Sequence, residues 1–105
     1  MKSVTVQELK AMMDAGEDIK IIDVREQHEY DFVNLGVELI PVSEIASNLD
    51  NFPTDKKCIV HCRSGARSAQ VIALLEAQRG HTNLYNLTGG ILAWAQEIDK
   101  SLPTY

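Results

Sequence analysis

The chain reads as an α/β domain with a mainly parallel sheet and helices on both faces. Two observations predict this. Short β-branched runs alternate with segments of helical period along the whole chain, the pattern of repeated strand–crossover–strand units. One strand also ends in a cysteine, followed by a glycine-bearing loop and a helix, and ligands of such sheets sit beyond the carboxyl ends of the strands.

The elements follow in order. Thr5-Val6-Gln7-Glu8 has the form of a capping box and predicts a helix start. Leu9, Met12 and Met13 fall at i, i+3 and i+4, with Gly16 as the stop. Residues 19–24, Ile-Lys-Ile-Ile-Asp-Val, are too short for a helix and read as a buried strand. Residues 26–32 predict a short helix. Residues 39–42 predict a brief strand near an edge, because Pro41 donates no hydrogen bond. Ser43 caps a short helix through Leu49, and residues 50–55 form a loop by composition.

Residues 57–61, Lys-Cys-Ile-Val-His, predict the next strand. Residues 67–79 predict the clearest helix, with Val71, Ile72, Leu74 and Leu75 apolar and Gly80 as the stop. Residues 83–87 form a further strand. Thr88-Gly89-Gly90 turns the chain into a last helix with Ile91, Trp94, Ala95 and Ile98 on one face. That spacing assigns Trp94 and Ile98 to the core, and Gly89-Gly90 to turn chemistry rather than phosphate binding.

With 105 residues, the chain suits one domain over residues 1–105. It is 45% hydrophobic and 24% charged, the balance of a globular domain with a packed core. A net charge of −5 excludes a general nucleic-acid binder, yet Arg63 and Arg67 allow a local positive pocket. No apolar run is long enough to span a membrane, and Met1-Lys2-Ser3-Val4-Thr5 lacks a signal-peptide core. Cys58 and Cys62, at i and i+4 of an extended strand, lie roughly 13 Å apart, too far for a disulfide. A reduced cytoplasmic setting fits. No metal site is expected from three scattered histidines and two cysteines. Met1 and the early capping box lead to the expectation of a complete chain, with a piece of a longer protein as the alternative.

The chemistry concentrates in His61-Cys62-Arg63-Ser64-Gly65-Ala66-Arg67-Ser68. A thiolate is a far better nucleophile than a thiol, and free cysteine is mostly protonated at neutral pH. The segment after Cys62 can curl so that successive N–H groups point at the sulfur, with Gly65 permitting a positive φ at the tightest point. The following helix adds the positive end of its dipole, and Arg63 and Arg67 add permanent charge. Together these push the Cys62 pKa below ~8.5.

Other polar residues have simpler readings. Cys58, inside an apolar run, is core packing. Adjacent strand residues point to opposite faces, so His61 faces away from the sulfur. His28 and His81 are surface or capping residues. Asp23 and Arg25 form an ion pair or loop anchor. Ser64 and Ser68 are candidate hydroxyl donors to a sulfur-bound anion, and Ser68 alternatively only starts the helix.

Cys62-Arg63-Ser64-Gly65-Ala66-Arg67-Ser68 resembles the active-site loop of rhodanese-type sulfurtransferases. The resemblance extends to Asp23-Val24-Arg25-Glu26, His28-Glu29-Tyr30, Ile40-Pro41 with Ser43-Glu44, and Leu87-Thr88-Gly89-Gly90-Ile91 with Ala93-Trp94. It implies a five-stranded parallel sheet flanked by helices. It also implies sulfur transfer through a persulfide on Cys62, from a donor such as thiosulfate to a thiophilic acceptor such as cyanide or a thiol, without a cofactor. The loop residues Arg63, Ser64, Gly65, Ala66, Arg67 and Ser68 would bind the anionic donor and the persulfide. Cysteine phosphatases have a similar cradle one residue longer; the four residues between Cys62 and Arg67 suit a sulfur atom better than a tetrahedral phosphate. The chain end, with Trp94, Ser101-Leu102-Pro103 and Tyr105, together with Asn34-Leu35-Gly36, is similar to the rhodanese domains fused to molybdopterin-synthase adenylyltransferases. Val37 stands where that type tends to have glycine. This implies a cysteine desulfurase or a Gly-Gly-tailed sulfur-carrier protein as partner. A noncatalytic sulfur-carrier or docking module is the alternative.

Overall fold

A computed structural model describes residues 1–105. In chain order the elements are β1 (Ser3–Val4), α1 (Val6–Asp14), β2 (Ile19–Asp23), α2 (Gln27–Phe32) and β3 (Glu38–Leu39), then two 3₁₀ turns (Val42–Ser47 and Leu49–Asn51). β4 (Lys57–His61), α3 (Ala66–Arg79), β5 (Leu84–Leu87) and α4 (Gly90–Glu97) follow. The five strands form one sheet in the order β1-β5-β4-β2-β3, and every pairing is parallel. β4 sits at the centre, so the residue following it opens at the middle of the sheet's carboxyl edge.

Strand parity divides the core. Cys58, Val60 and Cys62 face one side with Ile22, Val71, Ile72 and Leu75, beneath α3 and the 3₁₀ turns. Ile59 faces the other side with Val4, Val6, Leu9, Leu87 and Trp94, beneath α1 and α4. Ile98 packs against that second cluster, so the helical spacing of Trp94 and Ile98 did mark core. The Thr5 capping box forms as expected, with the Thr5 side chain accepting from the Glu8 N–H and the Glu8 carboxylate accepting from the Thr5 N–H.

Four local readings change. β1 is missed by the residue-level reading because two residues carry no period; pairing of Ser3 with Asn86 and Val4 with Leu87 creates it. β3 covers Glu38–Leu39 rather than residues 39–42. Even so, Ile40 and Val42 still donate to the Asp23 and Val24 carbonyls at 2.9 and 3.0 Å, and Pro41 lies between them where no donor is needed. Ser43 does not cap an α-helix: the segment is 3₁₀, and the Ser43 hydroxyl donates to Glu26 Oε1 at 2.6 Å. His81 is buried, 7% exposed, with Nε2 3.2 Å from the Phe52 carbonyl; it ties the loop before β4 to the chain after α3, so the surface reading fails for it. His28 is exposed.

A groove of about 410 Å³ lined by Asp50, Asp55, Arg79 and His81 opens beside the loop that enters β4. Parallel β4 leads away from that loop to Cys62 at its other end, so the groove does not serve the cysteine.

Candidate active site

The loop after β4 is built by its own backbone and by α4. Gly65 has φ +111°, a conformation that a side chain resists, and it turns the chain back over Cys62 into α3. From below, Ile91 and Leu92 of α4 donate their N–H groups to the Cys62 and Arg63 carbonyls, each at 3.0 Å. Gly90 makes this approach feasible: a Cβ there would lie 2.4 Å from the Arg63 carbonyl oxygen. The Gly89-Gly90 turn expected from the sequence therefore also braces the cysteine loop.

The Cys62 sulfur lies on the floor of this loop, with the residue only 1% exposed. Sγ accepts from the Gly65 N–H at 3.1 Å. Burial pushes the thiol pKa up, but hydrogen bonding from Ser68 and from the N–H groups of Gly65 and Ser64 outweighs it and holds the value below the ordinary one. Cys58 shows burial without that compensation: desolvation pushes its thiol up to about 12. The two residues share a core but not a chemistry.

The Ser68 hydroxyl lies 3.4 Å from Sγ and 2.5 Å from Asn86 Oδ1. It carries one proton, and the shorter contact takes it. The Cys62 sulfur is thus held chiefly by backbone N–H groups, those of Gly65, Ser64 and Ser68. Asn86 is fixed in turn, because its Nδ2 donates to the Gly65 carbonyl at 3.0 Å. Asn86 is a site-building residue that sequence reasoning missed; its one signal is an amide at an otherwise apolar-leaning strand, Leu84-Tyr85-Asn86-Leu87. Ser64 is exposed and contributes its N–H.

Sequence reasoning leaves Arg63 and Arg67 open to an incoming anion; the structure engages both. Arg67 Nη1 and Nη2 donate to Glu29 Oε1 and Oε2 at 2.7 and 2.9 Å. This two-pronged pairing holds the Glu29 carboxyl well below the usual carboxylate range. Arg63 Nε donates to the Tyr105 main-chain oxygen at 2.6 Å, as does Nη2, and its guanidinium lies 5.2 Å from the Tyr105 ring centre. The Tyr105 hydroxyl donates to Glu29 Oε2 at 2.6 Å and accepts from Arg25 Nη1 at 2.9 Å. Glu29 and Tyr105 belong to family-like segments of the sequence, but nothing in their spacing pairs them with the loop.

The expected Asp23–Arg25 ion pair is present and fully buried, with Nη2 to Oδ2 at 2.7 Å. Arg25 Nη2 also donates to the Val33 carbonyl at 2.7 Å, so the buried charges are satisfied. His61 points to the other side of the sheet from the sulfur. Its Nδ1 faces the Cys62 carbonyl at 3.2 Å, and Nε2 lies 3.6 Å from Asp23 Oδ2. Burial lowers its pKa and keeps it neutral, so it is not placed to act as a base on Cys62. No group of three His, Cys, Asp or Glu side chains gathers to hold a metal ion.

A parallel α/β domain with a cysteine cradled by N–H groups at the carboxyl end of its central strand defines the class. The rhodanese-like domain family model matches residues 5–97, and the chain belongs to the rhodanese family. It is 35% identical over 106 residues to the probable adenylyltransferase/sulfurtransferase MoeZ of Mycobacterium tuberculosis, covering 98% of this chain. The chain spans only 27% of that relative's length. A sulfurtransferase of Allochromatium vinosum is 37% identical over 86 residues, covering 76% of this chain and 75% of its own. The crystal structure of a rhodanese-like domain protein from Staphylococcus aureus superimposes with a TM-score of 0.82 at 33% identity, covering 100% of this chain and 99% of that one. The five-stranded parallel sheet and the likeness to rhodanese domains of the adenylyltransferase type are thus both as expected.

Proposed function

We propose that the protein is a sulfurtransferase, and that Cys62 carries the transferred sulfur as a persulfide. The observation that carries this reading is the Cys62 sulfur accepting the Gly65 N–H at 3.1 Å with its pKa held down, in a chain whose relatives include proteins named sulfurtransferases. The reaction has two halves. The Cys62 thiolate attacks the outer sulfur of a sulfane donor such as thiosulfate; the donor's S–S bond breaks, and its electron pair leaves with sulfite. Cyanide or a thiolate then attacks the terminal sulfur of the persulfide, releasing thiocyanate or a new persulfide and restoring the Cys62 thiolate. No net oxidant or proton is needed, and ping-pong kinetics follow. In this reading the N–H groups of residues 64–68 hold the persulfide charge, while Arg63, Arg67, Ser64 and Ser68 frame the incoming anion and Gly65 and Ala66 shape the turn.

Two reduced cysteines suit a cytoplasmic setting, and no helix is long and apolar enough to cross a membrane. By likeness to the adenylyltransferase/sulfurtransferases, the partners are a cysteine desulfurase as donor or a Gly-Gly-tailed carrier protein as acceptor. The test is turnover of thiosulfate and cyanide to thiocyanate. Cys62→Ser is expected to lose it entirely and Cys58→Ser to retain it; equal loss in both variants contradicts the assignment of Cys62.

A second reading is favoured by the near-complete burial of Cys62 and by the engagement of both loop arginines. Here the domain is a docking or carrier module, loaded by a protein partner. Negligible thiosulfate turnover together with rapid persulfidation by a cysteine desulfurase would support it.

A further inference from the structure

We propose that Glu29 is a specificity-determining residue: by closing an ion pair on Arg67, it disfavours doubly charged sulfur donors relative to persulfides with one charge or none. This inference rests on the sulfur-transfer reading and names the donor class of the same site.

The charges around the loop carry it. Arg25 is neutralised by Asp23 at 2.7 Å with both side chains fully buried. Arg67 is neutralised by Glu29 through both guanidinium nitrogens. The Glu29 side chain is 10% exposed and that of Arg67 34%, so water and salt screen this pair in part. Its carboxylate also takes the Tyr105 hydroxyl at 2.6 Å and the Glu26 N–H at 3.0 Å. Four donors therefore fix it, and it has little freedom to release Arg67 when a donor arrives. Arg63 in turn is engaged by the Tyr105 main-chain oxygen. With Arg25 and Arg67 paired, the N–H groups of the loop are left to match one negative sulfur.

Thiosulfate brings two negative charges towards a thiolate and leaves as doubly charged sulfite. A persulfide R–S–SH brings none: Sγ of Cys62 attacks its outer sulfur, the S–S bond breaks, R–S⁻ leaves, and the proton stays on the transferred sulfur. The unit charge passes from Cys62 to the departing thiolate, so the site never faces a second negative charge. The molecule as a whole, at −5, also repels a dianion more strongly than a neutral donor.

The experiment compares the full chain with Glu29→Gln, which keeps an oxygen for the Glu26 N–H but removes the charge. For thiosulfate, Glu29→Gln is expected to raise kcat/KM about fivefold through a lower KM, the effect of freeing one partly exposed charge, and the gain is expected to shrink as salt rises. The ratio of Cys62 alkylation rates with iodoacetate and iodoacetamide is expected to rise with it, because the two reagents differ in charge and not in the nucleophile. A merely structural Glu29 would instead lower both rates and leave their ratio unchanged; an unchanged or lower ratio in a folded variant overturns the inference. Should Glu29→Gln not fold, Arg67→Gln is compared with Glu29→Gln/Arg67→Gln. The double variant is expected to recover near wild-type thiosulfate kcat/KM and the single variant to fall well below it, while equal values refute the pairing. Failure of the sulfur-transfer reading looks different: the wild-type protein gains no sulfur from any donor, whatever the alkylation ratio does.

Discussion

Cys58 and Cys62 lie four residues apart on one face of the same strand path, and their environments drive them in opposite directions. Cys58 is buried in the apolar core, and desolvation takes it to about 12. Cys62 is buried too, but it ends the strand where the chain curls back, and N–H groups replace the water it loses. Iodoacetamide reaction of Cys58→Ser is expected to reach its plateau at a pH below the ~8.5 of free cysteine, whereas the Cys62→Ser protein is expected to react only through opening of the fold. A rate that follows free cysteine in the first variant contradicts the N–H cradle. Stability follows the same signs. The unfolded chain ionises Cys58 near ~8.5 while the native chain holds its proton to about 12, so this residue costs stability as pH climbs above ~8.5. The native Cys62 ionises first, so its contribution is present above ~8.5 and is lost as pH falls through its lower native value. At this scale the cysteine, its loop glycine and the face opposite His61 were legible, because local geometry sets them. Asn86, Glu29 and Tyr105 were not, because they reach the loop only across the folded chain: Asn86 from 21 residues away, Glu29 from 38 and Tyr105 from 42.

Elements were legible where a local device fixes them. The Thr5 capping box starts α1, Gly80 ends α3 in the left-handed conformation with φ 68°, and the apolar period of α3 survives as Val71, Ile72 and Leu75 in the core. They were illegible where pairing or packing decides. β1 exists only because β5 offers a ladder, and Ser43 spends its hydroxyl on Glu26 rather than on a helix N-terminus. The critical contact between elements is α4 against the cysteine loop. Gly90→Ala places a methyl 2.4 Å from the Arg63 carbonyl oxygen at φ +60°, so the loop or the helix must move. The expected loss is about 1–3 kcal/mol in denaturant unfolding, accompanied by slower alkylation of Cys62. Unchanged stability and reactivity would show that α4 does not support the loop.

In the whole molecule, parallel strands send their carboxyl ends to one edge, and the chain gathers its charged network there. Asp23, Arg25, Glu29, Arg67 and Tyr105 form one connected set running from the buried sheet end to the loop helix. Asp23→Asn leaves Arg25 a buried cation without its counter-charge, and a loss of about 3–5 kcal/mol is expected in equilibrium unfolding. A loss below about 1 kcal/mol would mean that Tyr105 and the Val33 carbonyl satisfy Arg25 alone. The fold class was legible from alternation, because parallel sheets buried on both faces demand apolar strands and crossover helices. The closure of Glu29 and Tyr105 over the loop arginines needs the assembled fold, since no local pattern encodes which carboxylate meets which guanidinium.

Intact mass before and after incubation with excess sulfane donor reads the central chemistry directly. A gain of ~32 Da on Cys62, removed by added thiol and absent from Cys62→Ser, is the expected result. An unchanged mass with every donor, including a protein persulfide, would contradict a persulfide held in the Cys62 loop.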